Sequence, residues 1–410
     1  MTELYYPLNS LREGHWFKLI CGASYQHLPA VRNLTLAYTL AGADCIDVAA
    51  DPAVIAAAKE GLQVASFLAE QAQARGFAFS HRPWLMVSLN DGEDPHFRKA
   101  EFDPDSCPSD CPRPCEKICP AQAIVFQNTS EGVSGVVDKR CYGCGRCLPI
   151  CPSQLIYTRS YVSAPEAIAE LILPAGVDAL EIHTKVGHLA DFQRLWRGIA
   201  PWVEHLKLLA ISCPDGENLL DYLQSLYQII SPLPCPLVWQ TDGRPMSGDI
   251  GAGATRAAVK LSQKVLGAGL PGYVQLAGGT NDHTVIKLRA AGLLNDGGTV
   301  NGEDLSVTPS QDLTLPYPPL LRGEFSSQNP QSFVAGVAYG SYARVLLSPI
   351  LDQLEKCNGE EIDAKGTSPQ SPQLRNLEDL PDLLWQAVTI ADSLVSQLKS
   401  AKKLSQSLPK

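Results

Sequence analysis

The feature that most constrains this 410-residue chain is a pair of four-cysteine runs between residues 107 and 153, which hold eight of its thirteen cysteines. The first run reads Cys107-x3-Cys111-x3-Cys115-x3-Cys119-Pro120, and the second reads Cys141-x2-Cys144-x2-Cys147-x3-Cys151-Pro152. The second spacing is that of bacterial two-cluster ferredoxins, in which three thiolates bind one [4Fe–4S] cluster and the fourth cysteine ligates the other. The first run shares the final gap, but each of its first two gaps is one residue longer.

This crossed pattern predicts two iron–sulfur clusters, and the cluster that uses the first run departs from the usual ferredoxin spacing. One ligand set is Cys141, Cys144, Cys147 and Cys119, and the other is Cys107, Cys111, Cys115 and Cys151. Disulfides need an oxidising compartment, and structural zinc sites usually need only four ligands, so both alternatives fit the two runs poorly. Residues 123–126 and 135–138 between the runs predict a hairpin that closes a ferredoxin-like module.

Charge and composition exclude several classes of function. The formal net charge is −10 and the pI is about 5.3, so we expect no nucleic-acid partner. The sequence shows neither a signal-peptide pattern nor an apolar stretch of about 18 residues, which predicts no transmembrane segment. Many free cysteines then indicate a reducing, cytoplasmic location, and peripheral contact with a membrane stays open.

Outside the cysteine runs, short apolar segments alternate with helical patterns. Eight such strand and helix pairs predict an α/β fold with a parallel sheet, closed as a (β/α)8-type barrel; the alternative is an open, doubly wound parallel sheet. The predicted organisation is a barrel in two parts (1–95 and 161–355), an inserted two-cluster ferredoxin-like module (96–160), a flexible linker (356–376) and a C-terminal helix (377–410). Because the module follows the third strand, we expect the clusters at the rim of the barrel mouth.

Two glycine-containing strand ends are candidate cofactor-binding positions. Gly278 and Gly279 follow the seventh predicted strand, and Gly340 and Ser341 follow the eighth, where barrels often bind a phosphate or the phosphate of a flavin. Glycines that simply end strands in turns are the alternative. No catalytic residue is assigned. Other strand-end polar residues that we expect either to line a cavity or to cap helices are Asp51, Asn90, His183, Lys185, Asp242, Arg244, Asn281 and Asp282.

Some residues carry simpler expectations. Asp47 and Glu181 lie inside predicted strands, so each is expected to be paired, functional or directed at a helix N-terminus. Five cysteines lack ligand-like spacing. We expect four of them to be small buried hydrophobic residues, namely Cys21, Cys45, Cys213 and Cys235, and we assign no role to Cys357.

The chain resembles the family of cyanobacterial light-dependent period proteins over nearly its whole length. The resemblance rests on the two cysteine runs and on the stretches GHWFKLICGASYQHLPAVRNLTLAYTLAGADCIDVAADPAVI, VWQTDGRPMSGDIGAGATRAA and QLAGGTNDHTV. It implies an iron–sulfur protein on the input side of the circadian clock that reports redox state, and so light intensity. Its implied partners are clock input proteins, namely the input histidine kinase and a KaiA-type protein.

Three functions follow from these observations. The first is redox sensing, because the potential of a cluster responds to hydrogen bonds, charge and exposure. The second is an iron–sulfur oxidoreductase whose barrel holds a flavin or phosphate ligand. The third is a plain electron carrier that serves a small redox partner, and it ranks last because such a carrier would not need a chain this large.

Overall fold

The computed structural model describes most of the chain. The described residues are 6–21, 28–92, 98–119, 122–128, 133–137, 141, 147–160, 172–243, 251, 253–295, 332–363 and 375–406. The helix expected at 165–173 therefore lies almost wholly outside the described residues, as do most of the loop expected at 296–332, Arg244 and the ligand candidate Cys144.

Eight parallel strands form a closed barrel, which confirms the predicted (β/α)8-type architecture over the open sheet. Each strand pairs with the barrel strands before and after it in the chain, and the last strand closes on the first. In chain order the barrel strands are β1 (Trp16–Ile20), β2 (Cys45–Ala49), β3 (Trp84–Asn90), β8 (Ala179–His183), β9 (Leu208–Pro214), β10 (Leu237–Asp242), β11 (Tyr273–Ala277) and β12 (Gly336–Tyr339).

Helices alternate with these strands because apolar residues recur at helical spacing between them. Six of them surround the barrel: α2 (Leu28–Leu40), α3 (Pro52–Phe67), α7 (Leu189–Ile199), α8 (Leu219–Ile230), α9 (Thr255–Gly267) and α10 (Thr284–Ala290). A short α4 (Ala69–Ala74) follows α3. No helix of the described residues is long and apolar enough to cross a membrane.

The cysteine runs form a separate unit between β3 and β8. Its strands make two antiparallel pairs, one at the base of the insertion and one between the runs. The second pair is the predicted hairpin, whereas the first was not predicted. The elements are β4 (Arg98–Glu101), α5 (Pro114–Ile118), β5 (Ile124–Asn128), β6 (Val133–Val136), α6 (Cys147–Ile150) and β7 (Tyr157–Ser160).

Three further helices close the amino-terminal end of the barrel and one side of it. The first, α1 (Tyr6–Glu13), was not predicted, and it buries Leu8 and Leu11 beneath the strands. The others are α11 (Ser341–Asp363), which ends later than the expected Glu355, and α12 (Pro381–Gln406), which packs on α2 and α11. Lys399 of α12 donates to both carboxylate oxygens of the buried Asp44, at 2.8 and 2.6 Å. The C-terminal helix is thereby fixed against the barrel.

Candidate functional site

The two halves of the cysteine unit repeat each other in backbone as well as in sequence. Each short helix, α5 and α6, ends at an isoleucine followed by Cys-Pro, and the two helices pack together. Gln122 and Gln154 stand three residues after Cys119 and Cys151, and both have a positive φ of about 50°. Each glutamine N–H donates to the carbonyl of that cysteine at 3.1 Å. This repeat is typical of the pseudo-twofold ferredoxin arrangement, and the sequence signal for it was Cys-Pro-x-Gln.

Five of the seven described cysteines of the two runs share one apolar cluster. Cys115, Cys141 and Cys147 are buried in it, and Cys119 and Cys151 pack against it. The other members of this cluster are Ala100, Phe102, Ala123, Ile124 and Ile156, with Phe126, Val136 and Leu148 at its edge. Such an environment excludes water from the sulfurs.

Backbone N–H groups point at two of the sulfurs. Ala123 N–H donates to Cys119 Sγ at 3.2 Å, and Ala100 N–H donates to Cys141 Sγ at 3.4 Å. Hydrogen bonds of this kind to cluster-ligating sulfur are among the features that set the reduction potential of an iron–sulfur cluster.

A second group of thiols lies around Cys107. Partial burial raises the pKa of the Cys107 thiol, and a hydrogen bond and charge interaction with Cys111 and the charge of Cys151 add to the effect. Burial likewise raises the pKa of Cys115, and Cys151 and Cys107 are among its interacting groups. The four thiols that interact here are the four of the second predicted ligand set.

Among the described residues, no three Cys, His, Asp or Glu side chains form a site for a single metal ion. A cubane differs from a single ion because its thiolates bind four separate irons and are therefore spaced further apart. The residues fit such a group in their chemistry: they supply sulfur, an apolar surround and N–H donors. One predicted ligand, Cys144, lies outside the described residues.

A second unusual site lies inside the barrel. Barrel interiors are usually filled by layers of branched apolar side chains. Here the middle layer is polar, and its inward-facing members are Lys18, Asp47, Met86, Glu181, Gln240 and Gln275. Asp47 and Glu181 thus meet the expectation that strand-borne charges are paired, and Lys18, their partner, was missed because a single lysine in an apolar strand gives no distinctive signal.

Lys18 lies at the centre of this layer. Its ammonium is fully buried, contacts Asp47 Oδ2 at 3.0 Å and forms a short ion pair with Glu181. Gln240 Nε2 donates to Glu181 Oε1 at 2.7 Å, and Ser88 Oγ donates to Asp47 Oδ1 at 2.7 Å. Asp47 and Glu181 therefore each contact the Lys18 ammonium and also accept a hydrogen bond from a neutral side chain.

The network continues toward the carboxyl end of the strands. His183 Nε2 lies 3.0 Å from Glu181 Oε1, and Ser212 Oγ donates to Asp242 Oδ2 at 2.6 Å. Register pairs His183 with Ser212 and Asp242 with Ala277, so these side chains form the next layer up. Both His183 and Asp242 were among the predicted cavity-lining residues.

Burial and charge together shift the pKa values of this network. Burial disfavours the charged form of Glu181, but Lys18 and His183 outweigh it and lower its pKa to about 2. Burial also opposes the charged His183, but Glu181 outweighs it and raises its pKa to about 9. The carboxylates of Asp47 and Asp242 have raised pKa values because, for them, burial outweighs the nearby cations.

The amino-terminal end of the barrel is closed by apolar side chains. Trp16 and Trp84 meet edge to face at 5.7 Å between centroids, and Cys45 and Tyr273 are buried in the same cluster. Trp16 Nε1 donates to Gln275 Oε1 at 2.6 Å, which joins this floor to the polar layer. The charged interior is therefore shut below and faces the carboxyl ends of the strands.

Asp91 holds the chain where it leaves the barrel for the cysteine unit. Its backbone N–H donates to the carbonyl of His183 at 3.1 Å, and its carboxylate accepts a short hydrogen bond from Thr184. His188 Nδ1 lies 3.1 Å from the other carboxylate oxygen, and Arg194 donates to the carbonyl of Asp91 at 2.8 Å. The residue that begins the insertion is thus bonded to the strand end that carries His183.

The predicted phosphate-binding glycines lie in two turns at the strand ends. Gly278 and Gly279 have φ values of 66° and 89°, as expected for a tight turn, and the Gly279 carbonyl accepts from Thr255 Oγ1 at 3.1 Å. Gly340 precedes α11, which begins at Ser341, and Arg344 donates to Ser341 Oγ at 3.1 Å. The two glycine turns remain candidate cofactor-binding positions.

Other predicted strand-end residues have structural partners. Asp51 caps α3 by accepting from the N–H of Ala53 at 2.9 Å. Asn281 is buried and donates to the carbonyl of Gly251 at 2.8 Å. Lys185 and Asp282 are exposed, and Asn90 is partly buried beside His183 in the register. The cysteines expected to be buried are buried: Cys21, Cys45, Cys213 and Cys235.

Comparison with family models and known proteins gives concordant matches. Residues 107–162 match the model of the LdpA Fe-S cluster-binding domain, and residues 171–397 match the light dependent period A C-terminal domain. The protein "Light dependent period A" of Synechococcus elongatus is 48% identical over 396 residues, which cover 97% of this chain and 94% of that protein.

Solved structures resemble the chain only distantly. Tryptophan synthase from Mycobacterium tuberculosis has a TM-score of 0.37 and 10% identity, with 96% of this chain and 97% of that chain covered. The tryptophan synthase alpha subunit of Legionella pneumophila has a TM-score of 0.38 and 10% identity, with 98% and 99% covered. Scores this low carry no argument about function, and the barrel is established by its own strand pairing.

Proposed function

Because the chain belongs to the light dependent period A family, we propose that it is a redox sensor that modulates the input of the circadian clock through two [4Fe–4S] clusters. The observation that carries the proposal is the grouping of the thiols. Cys107 interacts with Cys111, Cys115 and Cys151, although Cys151 belongs to the other run. That grouping agrees with the crossed ligand assignment.

The ligand sets we propose are those that the spacing predicts. One cluster uses Cys119, Cys141, Cys144 and Cys147, and the other uses Cys107, Cys111, Cys115 and Cys151. Bound clusters supply one-electron redox chemistry. The residues of the chain exclude water through Phe102, Ile124 and Ile156 and donate hydrogen bonds to sulfur through Ala100 and Ala123.

We assign sensing to the cluster on the irregular first run. Its ligands Cys107 and Cys111 are partly exposed, whereas Cys141 and Cys147 are buried. Cluster reactivity and potential both depend on exposure, so the first-run cluster should respond first to oxidants. A change in its state can then alter the affinity of the protein for a partner.

The test is Cys111→Ser in a cell with a measurable circadian rhythm. We expect this variant to abolish the redox-dependent change of period while the electron paramagnetic resonance signal of the second cluster persists. Cys357→Ser, at a cysteine outside both runs, is the matched control and should leave both properties unchanged. A normal period response in the Cys111→Ser strain would contradict the assignment.

The proposed partners are clock input proteins, namely an input histidine kinase and a KaiA-type protein. The family membership supports this choice, and the acidic charge of the chain disfavours a nucleic-acid partner. Co-purification from cells held under oxidising and reducing conditions should recover these proteins in different amounts. Equal recovery would count against redox-dependent partner binding.

A second candidate is an iron–sulfur oxidoreductase with a flavin or phosphate ligand in the barrel. The charged interior around Lys18 and Glu181 favours it, because ionisable groups with shifted pKa values cluster at functional sites. Ligation of a flavin phosphate would use Gly278, Gly279, Gly340 and Ser341. Release of flavin from the denatured protein would favour the enzyme, and a brown, flavin-free protein would favour the sensor.

A further inference from the structure

The polar layer inside the barrel contains more charged side chains than a barrel of this kind needs for its stability. Burying an ionised group costs free energy unless partners of opposite charge and hydrogen bonds compensate it, and well-packed apolar residues often serve equally well. The layer nevertheless holds Lys18, Asp47, Glu181, His183 and Asp242 within one connected network. Its carboxylates outnumber its cations by one when His183 is charged.

The hydrogen bonds of the lower part of this network are complete. Lys18 is held by Asp47, Glu181 and Met86, while Glu181 also accepts from Gln240 and His183. These groups therefore hold one another and have little capacity left for a ligand.

The upper part is different. Among the described residues, Asp242 Oδ2 accepts from Ser212, and the other carboxylate oxygen, Oδ1, has no hydrogen-bond partner. His183 Nε2 contacts Glu181, whereas His183 Nδ1 has no hydrogen-bond partner among the residues that the structure describes. Both side chains are only partly buried and interact electrostatically with each other. Within the described part of the chain, the upper end of the network thus leaves one carboxylate oxygen and one imidazole nitrogen available.

The side chains registered beside these two residues are uncharged and of small to medium size. Ala277 and Pro214 lie beside Asp242, and Ser212 and Asn90 lie beside His183. Below them the floor of Trp16, Trp84 and Tyr273 is closed, so any occupant enters from the carboxyl ends of the strands.

We infer that the carboxyl-end mouth of the barrel is a binding site for a small ammonium-bearing ligand that also carries a hydrogen-bond acceptor, such as an amino alcohol or an amino acid. The ammonium group donates to Asp242 and neutralises the surplus negative charge of the interior. The neighbouring acceptor receives a hydrogen bond from His183, whose orientation is fixed by Glu181. An anionic ligand of the same size is repelled by the same surplus charge.

The site adjoins the cysteine unit through the backbone. Asp91, which begins the insertion, donates to the carbonyl of His183 and accepts from Thr184. The proposed site therefore lies next to the residues that hold the base of the insertion. The binding claim itself does not depend on the clusters, so its failure leaves the redox proposal intact.

The experiment is saturation-transfer difference NMR on the full chain purified without oxygen, with its clusters retained. Ethanolamine, protonated at neutral pH, is the probe, and glycolate, of similar size but anionic, is the comparison. We expect saturable transfer to the methylene protons of ethanolamine and none to those of glycolate. Ionic strength is kept equal in the two titrations, so that a nonspecific effect of salt is excluded.

Asp242→Asn tests the assigned residue, because it removes the charge and keeps an oxygen that accepts from Ser212. The dissociation constant for ethanolamine should rise about tenfold or more, as expected for the loss of a charged hydrogen-bond partner. Asp221→Asn, on the exposed face of α8, is the matched control and should leave binding unchanged. Circular dichroism of both variants verifies that the barrel is folded.

Three results would overturn the inference. They are the absence of saturable ethanolamine binding, equal binding of glycolate, and undiminished binding by a folded Asp242→Asn chain. If Asp242→Asn does not fold, His183→Gln replaces it, since glutamine keeps a polar group and loses the imidazole. Ethanolamine affinity unchanged in that variant would also count against the site.

Discussion

The cysteine unit and the barrel interior both bury reactive side chains, but they compensate them differently. In the barrel, Lys18 balances Asp47 and Glu181, so the chain supplies both signs of charge. In the part of the cysteine unit that the structure describes, the sulfurs meet apolar side chains and backbone N–H donors. The barrel is therefore expected to be stable by itself, whereas the stability of the cysteine unit should depend on the metal that it binds.

The size of the two cores agrees with this contrast. The barrel is surrounded by a continuous apolar cluster that includes strands, helices and α12, while the cluster of the cysteine unit contains few side chains besides its own cysteines. Its strands have only four or five residues each. Small domains of this kind usually need a metal or a disulfide for stability.

The largest expected effect is on the cysteine unit. Cys141→Ser removes a thiolate from one predicted cluster, so the purified chain should lose roughly half of its iron and sulfide. Without that cluster, residues 98–160 should become the first site of proteolysis, because the unit lacks another source of stability. Iron analysis and limited proteolysis with mass spectrometry provide the measurement.

The control for this experiment is Cys357→Ser, which should keep the full iron content and the wild-type proteolysis pattern. The urea midpoint of the barrel should be the same in both variants. A Cys141→Ser unit that resists protease without its iron would remove the contrast between the two regions.

The next largest effect is on the barrel. Lys18→Met keeps the length of the side chain but leaves Asp47 and Glu181 without their cation, which should lower the free energy of unfolding by about 3–5 kcal/mol. Urea denaturation followed by circular dichroism measures the loss. Adding Glu181→Gln to Lys18→Met should restore part of it, because one unpaired charge is then removed. Iron content should not change, and a loss below about 1 kcal/mol would contradict a charge-compensated interior.

The smallest effect is a pH dependence within the barrel. Glu181 raises the pKa of His183 from 6.5 to about 9. A raised histidine pKa contributes stability that is complete below pH 6.5 and is lost as the pH rises through about 9. Because His183 is partly exposed, the contribution should be only about 1–2 kcal/mol.

Denaturation of the wild type and of His183→Gln at several pH values gives the measurement. The difference in unfolding free energy between the two chains should shrink between pH 6.5 and 9. An NMR titration of His183 in Glu181→Gln should show its pKa returning toward the ordinary histidine value. A difference that stays constant over this range would indicate that the Glu181–His183 pair contributes nothing to stability.

Much of the fold could be predicted because strongly apolar strands and glycine or proline boundaries are local signals. Cys45–Ala49, Trp84–Asn90 and Ala179–His183 are short buried runs that read as strands without tertiary information. The short β4 and β7 gave no such signal, since their pairing depends on contact between residues about 60 positions apart. The helix α1 was missed because its polar residues hide the few apolar ones that cover the barrel floor.

The sequence alone determined the family and the alternation that closes the barrel, and its cysteine spacing predicts the ligand sets, because each is carried by residue type at fixed intervals along the chain. Only the tertiary structure decided that Lys18, Asp47 and Glu181 meet, that His183 and Asp242 share one mouth, and that Asp91 joins this mouth to the cysteine unit. Those contacts join distant strands, and whether a strand residue points into the barrel depends on the register of the closed sheet.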